Sequence, residues 1–110
     1  MFVTPSTPEP NPPVNVTITQ TTCNSVTVTW TPPTDNEITG YTVLVYKDSN
    51  DILVYTYVTT MTTYRVTSLE PDTDYTVEVK AGNVGGFGNG TSTDFTTKER
   101  GDPLTFYNTM

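Results

Sequence analysis

From Val14 to Thr97 apolar and polar side chains alternate with a period of two, in short runs separated by turn residues, and no helical period competes. Val14, Val16 and Ile18 alternate with Asn15, Thr17 and Thr19, which predicts a first strand. Ser25–Trp30 predicts a second, with Val26, Val28 and Trp30 inward. Gly40–Tyr46 reads as a third, burying Tyr41, Val43 and Val45, while Leu44 and Tyr46 make its other face less polar than usual. Lys47–Asp51 is a hairpin turn. In Ile52–Val58, Ile52, Val54 and Val58 share a parity with Thr56, and Leu53, Tyr55 and Tyr57 take the other. Both faces are largely apolar, so this strand is expected at an edge with an exposed patch. Tyr64 and Val66 mark a short fifth strand. Asp74–Ala81 gives a sixth, and Thr91–Thr97, around Phe95, a seventh. Gly82–Gly90 holds five glycines and is expected to be a loop with Phe87 at its tip. Seven short strands with turn signals between them specify an all-β, two-sheet antiparallel sandwich.

The stretch Ser68–Val79 sets the frame. Leu69 is placed to plug the core, Pro71–Asp74 is a tight turn, and Tyr75, Val77 and Val79 then face inward against Thr76, Glu78 and Lys80. The spacing Leu69-x-Pro71-x-Thr73-x-Tyr75 resembles the tyrosine corner of fibronectin type III domains. The run Ser25-Val26-Thr27-Val28-Thr29-Trp30, followed by Pro32-Pro33, is similar to the second strand of that family, and the resemblance covers roughly residues 12–98. It implies an immunoglobulin-like seven-stranded sandwich with Trp30 at the centre of the core and the Tyr75 hydroxyl bonded back to main chain. The expected core is Trp30, Tyr41, Val43, Leu69, Tyr75, Val77 and Val79, and the Trp30 indole N–H is expected to find an acceptor. The expected organisation is a Pro-rich extended leader over 1–13, the domain over 14–98 and a tail over 99–110.

Composition narrows the function. The 110 residues include 26 Thr, suited to exposed strand faces, and a net charge of −7 with five Lys and Arg. Such an acidic surface argues against nucleic acid as partner. No apolar run approaches membrane-span length, so membrane insertion is not expected. A lone Cys23 excludes an intrachain disulfide and reads as a small buried apolar group near a strand start. There is no His, which removes the commonest general base and metal ligand. Asp72 and Asp74, like Asp35 and Glu37, read as turn carboxylates rather than Ca2+ ligands. The glycine stretch joins two strands with no helix after it, unlike a phosphate cradle. No catalytic, cofactor-binding or metal-ligating residue is therefore expected, nor any cofactor.

What remains is protein recognition. Pro5, Pro8, Pro10, Pro12 and Pro13 predict a stiff polyproline-like leader, or a docking arm. Arg100-Gly101-Asp102 resembles the triplet that integrins grip in fibronectin, but there it tops the loop between the last two strands, and here it follows the last strand. Leu104, Phe106 and Tyr107 make an unusually apolar tail whose alternation is that of a strand seeking an edge. Two Asn-x-Thr sequons, at Asn15 and Asn89, matter only in a secreted chain. Met1–Pro5 has no signal-peptide pattern. Two readings stay open: a small assembly subunit, such as a decoration or fibre component of a virion or other surface structure, docking through its tails; or an adhesion or receptor module excised from an extracellular chain. Either places the protein on a virion or extracellular surface. The partner is protein, including self-assembly, met through Leu104, Phe106, Tyr107, Phe87 or Arg100, Gly101 and Asp102.

Overall fold

The computed structural model describes residues 8–34 and 37–100. Its strands are β1 (Val14–Thr21), β2 (Val26–Thr31), β3 (Gly40–Lys47), β4 (Ile52–Thr59), β5 (Thr63–Val66), β6 (Asp74–Asn83) and β7 (Gly86–Thr96). They form two antiparallel sheets, β1-β2-β5 and β4-β3-β6-β7. The period-two pattern explains why: each inward set of one sheet needs an apolar face opposite, and two sheets supply one another. Val26, Val28, Trp30 and Val66 from the smaller sheet meet Tyr41, Val43, Val45, Tyr75, Val77, Val79, Ala81 and Phe95 from the larger, with Leu69 closing one end. All seven expected core residues are buried.

Trp30 meets Tyr41 edge-on, with ring centroids 5.3 Å apart. Tyr75 stacks on Phe95 at 5.5 Å, as their register in neighbouring strands dictates. The expected acceptor for the Trp30 indole is not found: Nε1 is buried without a hydrogen-bond partner among the described residues. The ring's packing has to outweigh an orphaned donor, a cost of about 1–3 kcal/mol.

The tyrosine corner forms. The Glu70 N–H donates to the Tyr75 hydroxyl at 2.9 Å. Ser68 and Asp72 turn the chain through positive φ, 60° and 50°. Asp72 is exposed, the turn carboxylate expected of it. The buried Thr97 hydroxyl donates to the Glu70 carbonyl at 2.6 Å and accepts the Thr73 N–H at 3.0 Å. Lys98 N–H then donates to the Thr22 carbonyl of the opposite sheet's hairpin.

Four local expectations change. The glycine stretch is no loop: β6 runs to Asn83 and β7 starts at Gly86, leaving Val84-Gly85 as the turn, with Gly86 at φ 115°. Phe87 is consequently a strand residue and not a tip. In β4 the register slips between Leu53 and Tyr55, so Val54 is an extra residue. Leu53 pairs with Tyr46 on the outer face, opposite in sense to Tyr55 and Tyr57, whose partners Val45 and Val43 are buried. Cys23 lies half-exposed in the β1–β2 turn. Finally, Pro8–Pro13 lies along β7. The Asn83 Nδ2 donates to the Pro8 carbonyl at 2.9 Å and the Thr91 hydroxyl to the Pro13 carbonyl at 2.6 Å, and Pro10 and Pro13 are buried. Prolines supply no N–H for a ladder, but their carbonyls still accept. Gly88 allows this close approach, since a Cβ there would stand 2.1 Å from the Pro10 carbonyl oxygen.

Two substitutions test the core. Trp30→Ala should destabilise the domain by about 3–5 kcal/mol in denaturant melts, as truncation of a buried aromatic does; a much smaller loss would remove Trp30 from its assigned place. Tyr75→Phe should cost roughly 1–2 kcal/mol, because the ring still stacks on Phe95 while the Glu70 N–H loses its acceptor. An unchanged melt would mean that the hydroxyl does not fasten the corner.

Candidate interaction surfaces

Of the expected contact residues, Phe87 and Arg100 are among the described residues, and they stand far apart. Phe87 is 46% exposed near the β6–β7 turn, its ring lying against Gly82, where a Cβ would be 2.5 Å from Cε1. Arg100 is exposed and follows the far end of β7. The strand between them spans about 30 Å at ~3.4 Å per residue, so the two cannot serve one small site. Gly101, Asp102, Leu104, Phe106 and Tyr107 lie outside the described residues. Of the sequon residues, Asn89 is exposed on β7 and Asn15 is exposed in β1, where it takes φ 55° at a break in register.

At the end of the sheet where β7 finishes, an open depression is lined by Lys47, Asp48, Ser49, Asp72, Thr73 and Asp74. The side chains of Lys47, Asp48, Thr73 and Asp74 are engaged locally. Lys47 is ion-paired with Glu70, and this hydrogen bond raises the Lys47 pKa above its ordinary value. The Thr76 hydroxyl stands 2.7 Å from both an Asp48 and an Asp94 carboxylate oxygen. One hydroxyl proton serves one carboxylate at a time, and Thr96 donates to Asp74 nearby. Among the described residues no group of three His, Cys, Asp or Glu is placed to hold a metal ion.

The exposed patch expected of an edge strand lies on the β4 side of the sandwich. On the outer face, Leu44 and Tyr46 of β3 lie beside Leu53, Val54 and Val58 of β4, and Val58 is 72% exposed. Toward β7 the same face turns polar, with Thr76, Glu78 and Lys80, then Ser92 and Asp94. On the inner side, Tyr55, Tyr57 and Tyr64 form an aromatic ladder between the two sheets, with centroid spacings of 5.8 and 4.6 Å. The Tyr55 hydroxyl donates to the Ser68 carbonyl at 2.7 Å. Burial, and then the neighbouring Tyr64 and Tyr55, raise the Tyr57 pKa; burial alone raises that of Tyr41. The signal was present in the sequence as Tyr55 and Tyr57 at one parity, but the partner Tyr64 comes from the other sheet.

Comparison with known proteins agrees with this geometry. Residues 11–98 match the family model of the fibronectin type III domain. "Ig-like and fibronectin type-III domain-containing protein 1" of Caenorhabditis elegans is 33% identical over 91 residues, covering 81% of this chain and 8% of that protein. "Receptor-type tyrosine-protein phosphatase F" of Mus musculus is 39% identical over 83 residues, covering 69% and 4%. Domains from titin superpose with a TM-score of 0.75 at 28% identity, covering 83% of this chain and 33% of that structure. The chain thus spans less than a tenth of the length of these curated relatives.

The tyrosines give the surface a pH response. A phenol whose folded pKa is raised above its ordinary value of 10.0 contributes stability that is fully present below pH 10 and is lost as pH rises through the folded pKa. Melting temperature should accordingly fall above pH 10, and Tyr57→Phe should reduce that fall, as scanning fluorimetry across this range would record. An equal fall in the variant would take Tyr57 out of the titration.

Proposed function

Because the chain belongs to the fibronectin type III family, whose domains are generally non-catalytic modules for protein contacts, we propose that it is a protein-interaction module docking through its C-terminal segment. A small assembly subunit, such as a decoration or fibre component of a virion or comparable surface structure, is the form of that role. One observation carries the reading. The core is closed by seven strands between Val14 and Thr96 and by the corner that Thr97 fastens. Leu104, Phe106 and Tyr107 follow in sequence, after the strands that close this core. An alternating apolar segment after a completed sandwich suits strand addition, where backbone pairing supplies affinity and alternate side chains specificity.

A second reading is favoured by the relatives, which include a receptor by name and are many times longer than this chain. There the module is an adhesion or receptor domain, and Phe87 with Arg100, Gly101 and Asp102 offers the contacts.

Leu104→Asp with Phe106→Asp separates the two. The charges are placed where an apolar pocket would receive the segment, at a large desolvation cost. Incorporation into the native assembly, followed by electron microscopy or sedimentation, should be abolished while the melting temperature stays within a degree or two. Normal incorporation of the variant would refute tail docking and leave the adhesion reading.

A further inference from the structure

A sandwich with two open sheets has four edges, and each is a row of half-used backbone donors and acceptors. Three are blunted here. The β7 edge is covered by Pro8–Pro13, whose carbonyls take hydrogen bonds from Asn83 and Thr91 and whose prolines cannot extend a ladder. The β1 edge is broken by Asn15 at φ 55° and by two slips of register, and the Val16 carbonyl is engaged by Thr93 of β7. The β5 edge is four residues long and carries Arg65. The β4 edge has eight residues, Ile52–Thr59, with neither proline nor charge. Its one irregularity, at Val54, leaves Tyr55–Thr59 in regular pairing with β3.

We propose that β4 joins two copies of this chain, edge to edge and antiparallel about a two-fold axis within Tyr55–Thr59, so that their four-stranded sheets become continuous. Charge bears on the place and the direction of the joint. Each copy carries −7, so like copies repel least at an uncharged surface, and β4 with the outer-face side chains Leu44, Leu53 and Val58 is one. Asp48 and Asp51 lie at the Ile52 end of the strand. A parallel joint would set them beside their counterparts, whereas an antiparallel joint centred on Tyr57 separates each from its counterpart by about 35 Å or more at ~3.4 Å per residue. That distance exceeds the screening length of about 8 Å at physiological salt. The two-fold arrangement is self-complementary: each copy's Val58 is covered by the outward side chains of the other's β4. Ile52, Leu53, Val54, Val58 and Met61 are each between 38% and 72% exposed, and with the strand backbone two copies would cover on the order of 1,000 Å², the lower bound of a specific interface. The association is therefore weak and reversible, and it does not draw on the C-terminal segment.

Sedimentation velocity of the full chain over a wide concentration range tests this. Wild-type protein should shift reversibly from monomer to dimer as concentration rises. The variant Thr56→Lys with Val58→Lys places like charges opposite one another across the joint and should weaken the dimer tenfold or more, with the melting temperature retained because both side chains are exposed. Leu104→Asp with Phe106→Asp should dimerise like the wild type. Amide exchange in Tyr55–Thr59 should slow at high concentration, a readout independent of any substitution. The proposal is overturned if wild-type protein stays monomeric, if the double-lysine variant dimerises as well as wild type, if the tail variant loses the dimer, or if β4 exchange is insensitive to concentration.

Discussion

The Thr97 hydroxyl is where this sandwich is fastened. It donates to the Glu70 carbonyl and accepts the Thr73 N–H, while Glu70 N–H is held by the Tyr75 hydroxyl. The crossing from β5 in one sheet to β6 in the other thereby becomes a closed hydrogen-bonded corner. A crossing segment leaves backbone groups outside any ladder, and buried groups of that kind must find partners. Threonine and tyrosine hydroxyls supply them without burying charge. Leu69 N–H reaches Asn24 and Lys98 N–H reaches Thr22, so the corner also anchors the β1–β2 turn. With the corner placed, Tyr75 can stack on Phe95 and the larger sheet can take its distance from Trp30.

The same constraint governs the rim. Pro8–Pro13 would be expected to stay clear of a sheet, since a proline gives nothing to a ladder. A ladder has two halves, however, and Asn83 and Thr91 provide side-chain donors to the carbonyls that remain. The leader therefore caps β7 and protects its edge. On the opposite side the Tyr55-Tyr57-Tyr64 ladder fills the gap between the sheets, with Tyr55 also bonded to Ser68 of the corner. Thr96 donates to Asp74, and the one Thr76 hydroxyl proton is shared between Asp48 and Asp94, a use of hydroxyls that belongs to the architecture of the fold.

Surface chemistry is divided accordingly. The face of the larger sheet is apolar beside β4 and charged toward β7, and Phe87 and Arg100 stand at opposite ends of β7. The domains of the family to which it belongs commonly mediate protein–protein contacts.

Alternation of side chains determined the strands, and with them the core: Val26, Val28 and Trp30, or Tyr75, Val77 and Val79, can be buried together only in extended backbone. Leu69, Pro71, Thr73 and Tyr75 were equally legible, because a corner is a local motif with its partners a few residues apart. Tertiary structure decided what depends on distant partners. The Trp30 indole is buried without an acceptor, an outcome set by which groups the folded core brings to it. The register slip at Val54, which turned Leu53 outward, was set by the pairing with β3. The glycines around Phe87 became strand where distant groups come too close for a Cβ, the Pro10 carbonyl at Gly88 and the Glu78 side chain at Gly90. Period fixes which face a residue belongs to, but which edge is covered and which is left open follows from segments that meet only once the chain has folded.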